Sequence, residues 1–585
     1  MDATWRKKLL VAAIDFGTTS SGFALSLLKD YENDKTKIFN YMWKPNDQPR
    51  THKTPTCVLL KPDKSFHSFG FEAEEKYIEL AEDDKHKDWR FFRRFKMKLY
   101  KPSDRNTCGL SLHSTIKDTE GRDFSALAVF SYSIDYMKRK IIEIVRERFP
   151  AVREDDISYV LTTPAIWSED AKQFMRKAAL NAHIPTERLR IALEPECAAV
   201  YVHTKELPAL DKMTQDKLAM KPGSCHVIID LGGGTLDIAA HRVNDDCQFE
   251  EVIVPDGGPL GGDNINMKYD QFLVKLSGGP AFSKFRDENM EDYLTMQRLF
   301  ENKKCAFKDT SDDSKVNISI PESFRTLHEM HNQEKLTESV RQMAISDDVE
   351  FKADKMRIKT KLFRSFFTET IDGVLNTVEC VLSKMYEKID TLTCVGGFSD
   401  CQLLKDAFHA KFPDQTVIIP EEAVTSIMKG AIIFGRDQSV VNKRISRYTY
   451  GLDWNEDFDP DNHDPSKREE TDNGHVCRDI FRKLIGKGDE VPYNKPTQEI
   501  EAFVKSKYQT VIDFPFYRSE IEENPKYIDA IGCHLIGTMR VNLGESKIKS
   551  LDRYVKLKVY FGETELRAEA IDDTGKKYDV TINIE

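Results

Sequence analysis

The chain carries no disulfide or zinc framework. Its eleven cysteines stand singly, with no CxxC pair and no Cys/His cluster at metal-ligand spacing. Reduced thiols in a cytosolic protein are the expectation. No apolar run approaches the ~20 residues that a membrane span needs. There is no basic excess either: 86 Lys and Arg stand against 97 Asp and Glu, a net charge of −11, which argues against nucleic acid or an anionic membrane as a general partner. The apolar stretch Leu9 to Ile14 follows basic residues, but it is shorter than a signal-peptide core and runs into Asp15 without a cleavage site. It reads as a strand.

What remains is an ordinary globular composition, 40% hydrophobic and 31% charged over 585 residues, enough for two to four domains. "KLLVAAID" and "GFALSLL" read as strands on either side of a Gly-Thr-Thr turn, with "TPTCVLLK" as a third candidate strand after a loop, the signature of a β-hairpin or a meander. From Ala126 to Phe149 apolar residues recur three and four apart, as on one face of a long helix. "ISYVLTTPA" is a buried strand ended by Pro164, and Ser168 is placed to cap the helix that follows. The same plan restarts at His226, which suggests a duplicated α/β architecture. Residues 309–350 read as a polar, weakly periodic, variable insert, helical or loop. Past about residue 440, "YVKLKVYF" alternates Val555, Leu557, Val559 and Phe561 against Lys556, Lys558 and Tyr560. Asp572 to Gly575 makes a turn, and Tyr578, Val580, Ile582 and Ile584 alternate again, so a small antiparallel β domain is expected.

Glycine turns carry the chemistry. "AIDFGTTS" places Asp15 before Gly17, Thr18 and Thr19; "IIDLGGGTLD" places Asp230 before Gly232, Gly233, Gly234, Thr235 and Asp237. Such turns offer backbone N–H groups to a phosphate chain without Cβ atoms in the way. A carboxylate at the strand end addresses Mg²⁺ through its waters. One such turn is an ordinary hairpin; two in separate halves let two hairpins grip one triphosphate, with Asp15 and Asp230 converging on the metal. "GGPLGGDN" and "CVGGFSD" add Gly261, Gly262, Gly396 and Gly397.

These motifs resemble the two phosphate loops of the actin-like ATPase superfamily, and more specifically of the seventy-kilodalton heat-shock proteins. "RIALEPECAAVYV" resembles the connecting motif, "CVGGFSDCQLLKDAF" the adenosine motif, "PEEAVTSIMKGAIIFG" the final ATPase helix, and "ELRAEAIDDTGKKYDVTINI" the last strands of the substrate-binding β-sandwich. "SSGFALS", "FRRFKMKLY" and "RYTYGLDW" are similar to the divergent 12A/12B branch. The resemblance implies an α/β fold: a duplicated two-lobed actin-like ATPase (ribonuclease H-like) domain over 1–440, followed by a lidless, truncated β-sandwich-like domain over 441–585. Lobe I would take about 1–222 plus 415–440, and lobe II about 223–414. It implies ATP and Mg²⁺ as ligands, with Asp15, Asp230 and Asp237 near the metal, mostly through water. Glu194, Asp15, Asp230 and Thr235 would be catalytic. Phosphate contacts would come from Gly17, Thr18, Thr19, Gly232, Gly233, Gly234, Thr235, Gly261 and Gly262, ribose and adenine contacts from Glu301, Lys304, Gly396 and Gly397. On spacing alone Glu194 before Pro195 fits a helix cap as well as a catalytic carboxylate; the resemblance favours the latter.

Several departures bear on activity. The family clamps adenine between two arginines, where this chain has Cys305 and Asp400. Arg94, Lys96 and Lys98 all stand where the family's catalytic lysine lies, in a basic stretch, Arg90 to Lys101, expected as an amphipathic helix near the phosphates rather than a nucleic-acid strip. The linker after the ATPase part lacks the leucine-rich stretch that docks between lobes. The expectation is an ATP-binding chaperone-like protein that hydrolyses slowly and meets an unidentified protein client at its β domain. No helical lid or acidic tail for tetratricopeptide-repeat co-chaperones is expected. The alternatives are a non-hydrolysing, nucleotide-gated adaptor and, less well matched, a sugar kinase of the same superfamily.

Overall fold

A computed structural model describes residues 5–46, 49–100, 110–206, 222–308, 311, 313–471, 474–506, 508–521, 523–543 and 552–581, the last three by backbone alone. It is a mixed α/β structure of several sheets. In the first half, strand Leu10–Asp15 is buried at every position. It pairs antiparallel with Ser20–Leu27 and parallel with Ile157–Thr163, which in turn lies parallel to Leu189–Leu193. Such a strand, covered on both faces, reads as a continuous apolar run rather than an alternating one. The second half opens the same way: Cys225–Leu231 pairs antiparallel with Leu236–Val243 and parallel with Thr391–Val395, beyond which lies Thr416–Ile418.

Helices cover these sheets where the periodicity places them. Ala126–Arg148 turns Val129, Phe130, Ile134, Met137 and Ile141 into the first core, and the Ser125 hydroxyl accepts from the Ala128 N–H at its start. Ser168 caps Glu169–Asn181 in the same manner. Between the two sheets, helix Ser426–Arg436 lies against helix Glu194–Tyr201. A Cβ on Gly430 would sit 1.7 Å from the Cys197 carbonyl oxygen, so only glycine admits this approach.

Two sequence expectations change, and two gain detail. Cys57–Leu60 is not the third strand of a meander; it pairs with Phe66–Phe69 and Arg90–Arg93 in a separate sheet, and only Thr54–Pro55 reaches Ser20–Ser21. The basic stretch forms that strand and a 3₁₀ turn, Phe95–Leu99, not an amphipathic helix, because its aromatics Phe91, Phe92 and Phe95 are all drawn inward. The 309–350 insert is helical in Glu322–Asn332 and Leu336–Gln342, as expected, and adds the strand Lys315–Ser319; Ile318, Phe324 and Leu327 are buried. The segment after helix Ser426–Arg436, which lacks a leucine-rich stretch, joins a sheet: Val441–Ile445 runs parallel to Phe249–Glu251 and antiparallel to Glu490–Pro492.

Beyond it, one antiparallel sheet includes Thr449–Asp457, Gly474–Ile485, Val511–Ser519 and Cys533–Asn542; another includes Glu499–Phe503, Tyr554–Tyr560, Arg567–Asp572 and Lys577–Thr581. Leu452, Phe516 and Met539 of the first share a core with Val555, Leu557 and Ala568 of the second. Tyr560 is buried and Phe561 only partly so, against the simple alternation. Ile582 and Ile584 lie outside the described residues, and nothing is described of the Val580 side chain. This part rests on helix Glu169–Asn181: Arg518 pairs with Asp170 at 3.1 Å, and Arg176 pairs with Glu565.

Candidate functional site

The two glycine turns meet. A Cβ on Gly233 would lie 2.2 Å from the Thr19 hydroxyl oxygen, and one on Gly234 would lie 2.9 Å from that of Thr18. The loops that the chain separates by more than two hundred residues are thus in contact range. They line a cleft of ≈ 230 Å³ together with Asp15, Gly17, Glu194, Asp230, Gly232, Thr235 and Gly262. A second hollow of ≈ 420 Å³ opens beside it and shares Thr18, Thr19, Lys53, Gly233, Glu301 and Lys304. Gly234 and Gly261 stand behind the loop rather than on the cleft wall; a Cβ on Gly261 would strike the Gly233 carbonyl at 2.3 Å. Two backbone bonds tie that segment to the turn, Gly262 N–H to Gly232 O at 3.1 Å and Asp263 N–H to Gly233 O at 2.7 Å.

The floor is acidic. Asp15, Glu194 and Asp230 are each at most 6% exposed, and Asp237 is fully buried. Burial pushes the Glu194 carboxyl upward against the opposing pull of Lys96, and it pushes Asp230 well above the ordinary carboxylate range, with Glu194, Asp237 and Asp15 adding repulsion. Asp237 is pushed up to about 7, again chiefly by burial. It sits behind the turn, accepts from the Ala165 N–H, and does not line the cleft.

The three basic candidates separate cleanly. Lys96 donates to Glu194 at 2.9 Å and is 2% exposed, with its ammonium 5.0 Å from the centroid of the Trp167 ring. Arg94 instead pairs with Asp263 at 2.7 Å, and Lys98 is exposed. Lys53 went unnoticed in the sequence. Its ammonium stands 2.8 Å from Asp15 Oδ2, inside the cleft. No local pattern marks it, since a lysine in a loop is ordinary; only the pairing of Thr54–Pro55 with Ser20–Ser21 brings it there.

At the other end, Lys304 pairs with Glu301 at 2.7 Å and donates to the Gly262 carbonyl at 3.0 Å. Burial alone would raise the Glu301 carboxyl, but Lys304 and hydrogen bonds from Asn266 and Cys305 hold it below its usual value. Phe367, Gly397, Phe398 and Cys401 line this end with Cys305 and Asp400; Asp400 faces Lys405 at 3.5 Å. Gly396 closes it: its φ of +86° and a Cβ that would lie 2.5 Å from Asp230 Oδ1 both require glycine.

Among the described residues no three or more His, Cys, Asp or Glu side chains are grouped to ligate a metal directly. The buried oxygen Asp230 Oδ1 has no hydrogen-bond partner, however, which fits a hydrated cation held through water. No described helix is long and apolar enough to cross a membrane.

Fold and cleft together are those of a mixed α/β protein consistent with an actin-like ATPase. No family model matches the chain. Curated relatives do. It is 29% identical to human heat shock 70 kDa protein 12A over 96% of this chain and 90% of that one. It is 28% identical to mouse heat shock 70 kDa protein 12A over 97% and 90%, and 27% identical to human heat shock 70 kDa protein 12B over 96% and 89%. The chain is thus similar along nearly its whole length to the heat shock 70 kDa proteins 12A and 12B.

Proposed function

We propose that this chain binds Mg-ATP between two duplicated lobes of a ribonuclease H-like ATPase domain, residues 1–440, and hydrolyses it slowly to control a C-terminal β domain, residues 441–585. In this reading it is a cytoplasmic, chaperone-like protein of the stress response. The observation that carries the reading is the meeting of the two glycine turns at one cleft, where Gly233 approaches Thr19. Two turns so placed aim backbone N–H groups at a phosphate chain from both sides.

The residues divide the work. Thr18, Thr19 and Thr235 present hydroxyls to phosphate oxygens. Glu194 orients the attacking water, and Lys96 fixes the Glu194 carboxylate and faces the developing charge. Asp15 and Asp230, with Asp237 behind them, hold the hydrated metal. Mg²⁺, when bound, supplies charge neutralisation at the β- and γ-phosphates. Glu301 and Lys304 take the ribose and adenine, while Gly396 and Gly397 let the base approach the backbone. The same cleft supports a second reading, an adaptor that binds nucleotide without hydrolysing it. Cys305 and Asp400 favour it, since neither stacks on adenine as an arginine does.

Single-turnover hydrolysis measured beside equilibrium ATP binding tests both, for the wild type and Glu194→Ala. The ATPase reading expects hydrolysis to fall by about a hundredfold or more with binding retained. Tight binding without turnover, unchanged by the substitution, removes it in favour of the adaptor.

A further inference from the structure

We propose that the second hollow is a site for a small organic phosphate monoester, its phosphate held between Arg93 and Arg298 and its body laid along Phe71 and Ile78. This site goes beyond the nucleotide reading and does not depend on it.

The hollow lies where two distant parts of the chain meet. Arg93 ends strand Arg90–Arg93, Glu74 belongs to helix Phe71–Glu82, and Arg298 belongs to helix Met290–Cys305. Their roots are fixed, because Tyr77, Leu80 and Phe91 share a buried core with Met290 and Leu294. Close packing of that kind sets the spacing of the two helices, so the charged groups they carry are held in place. One corner of the hollow has unbalanced charge. Among its other cations, Arg94 is matched by Asp263 at 2.7 Å and Lys304 by Glu301 at 2.7 Å, and Lys53 also lines the nucleotide cleft. Arg93 and Arg298 share a single carboxylate: Arg93 stands 3.5 Å from Glu74 Oε1, and Arg298 stands 3.4 Å from Glu74 Oε2.

Both separations exceed the ~2.7–2.9 Å of a close charge-assisted bond. A guanidinium has five N–H donors, so one carboxylate oxygen satisfies only part of each. Two cations against one anion leave a positive charge in excess. The Glu74 side chain is 13% exposed and those of Arg93 and Arg298 are 29% and 33% exposed, so this charge is partly sheltered and draws an anion more strongly than an open surface would. A phosphate presents three oxygens and can take paired bonds from both planar forks at once. The wall beside the corner is apolar: Phe71 and Ile78 are half-buried and Leu294 is buried. Charge at one end and apolar surface beside it suit a phosphate carried on an organic body, and the ≈ 420 Å³ of the hollow is ample for a small one.

Equilibrium titrations of the full chain with phenyl phosphate and with inorganic phosphate, in the absence of nucleotide, test the site. The wild type should bind phenyl phosphate at least about threefold more tightly than inorganic phosphate, because the ring adds apolar contact. Arg298→Gln should weaken phenyl phosphate about tenfold, the size of one charge-assisted contact, whereas Glu74→Gln, which removes the competing carboxylate, should strengthen it about tenfold. A merely structural ion triad would not give changes of opposite sign. Thr235 lines the nucleotide cleft and not this hollow, so Thr235→Val should leave the affinity unchanged. Should one of the two charge variants fail to fold, the other decides. The site is overturned by an absence of binding to the wild type, by equal affinities for the two phosphates, by an E74Q variant that binds no more tightly, or by a loss in T235V as large as that in R298Q. Each of these outcomes leaves the nucleotide reading standing.

Discussion

Glu194 is buried and pairs with Lys96 at 2.9 Å. Removing one member of a buried pair leaves the other uncompensated, at a cost of about 3–5 kcal/mol. Lys96→Met is therefore expected to drive the Glu194 carboxyl further upward and leave it protonated, unable to orient water. Hydrolysis should fall about a hundredfold or more, while ATP affinity falls less than about tenfold. Kinetics that lose affinity and turnover equally would show that Lys96 only binds. Residue-scale legibility was uneven here. Asp15, Thr18, Asp230 and Gly233 sit in short motifs whose spacing announces their chemistry, whereas Lys96 stood among three basic candidates. The choice between Lys96, Arg94 and Lys98 depends on the sharp turn at Arg94, whose φ of +55° throws alternate side chains to different sides. Spacing alone does not reveal such a turn.

At the scale of elements, the docked segment Val441–Ile445 ends on a titratable contact: the Ile445 N–H donates to Glu251 at 2.7 Å. Burial pushes the Glu251 carboxyl from 4.5 up to about 7, with Glu196 adding to the rise and Arg447 and Arg444 opposing it. Between those values the folded chain keeps a proton that the unfolded chain has released. The unfolded state binds fewer protons, so stability falls as pH rises through that window. Glu251→Gln keeps the acceptor but cannot ionise. Melting profiles should show the variant gaining on the wild type from pH 5 to pH 8, by up to ~3 kcal/mol; parallel profiles would refute the assignment. Long periodic elements such as Ala126–Arg148, and buried runs such as Leu10–Asp15, were readable because period and burial agree. Strand Val441–Ile445 was not, since "VNKRI" carries three polar residues in five, and its pairing comes from partners far away in the chain.

Across the whole molecule, the C-terminal sheets are held by charges that reach into the first half. Arg444 grips Glu196 through two bonds, at 2.8 and 2.7 Å, two residues along the helix from Glu194. Arg447 donates to the carbonyls of Ala165 and Trp167, and the Ala165 N–H is the group that Asp237 accepts. Arg444→Met leaves Glu196 buried without its partner. Limited proteolysis should then cut between the two halves of the molecule about tenfold faster, because the docked state opens more often. An unchanged cutting rate would mean that the remaining contacts hold the C-terminal sheets without Arg444.

Strand Val441–Ile445 also bears on any attempt to produce the first 440 residues alone. Severing the chain there strips the outer neighbour from Phe249–Glu251 and lays bare a row of unsatisfied main-chain donors and acceptors. Such a fragment would tend to pair with its own copies through that raw margin, and its solubility would depend on keeping the five residues that the division removes.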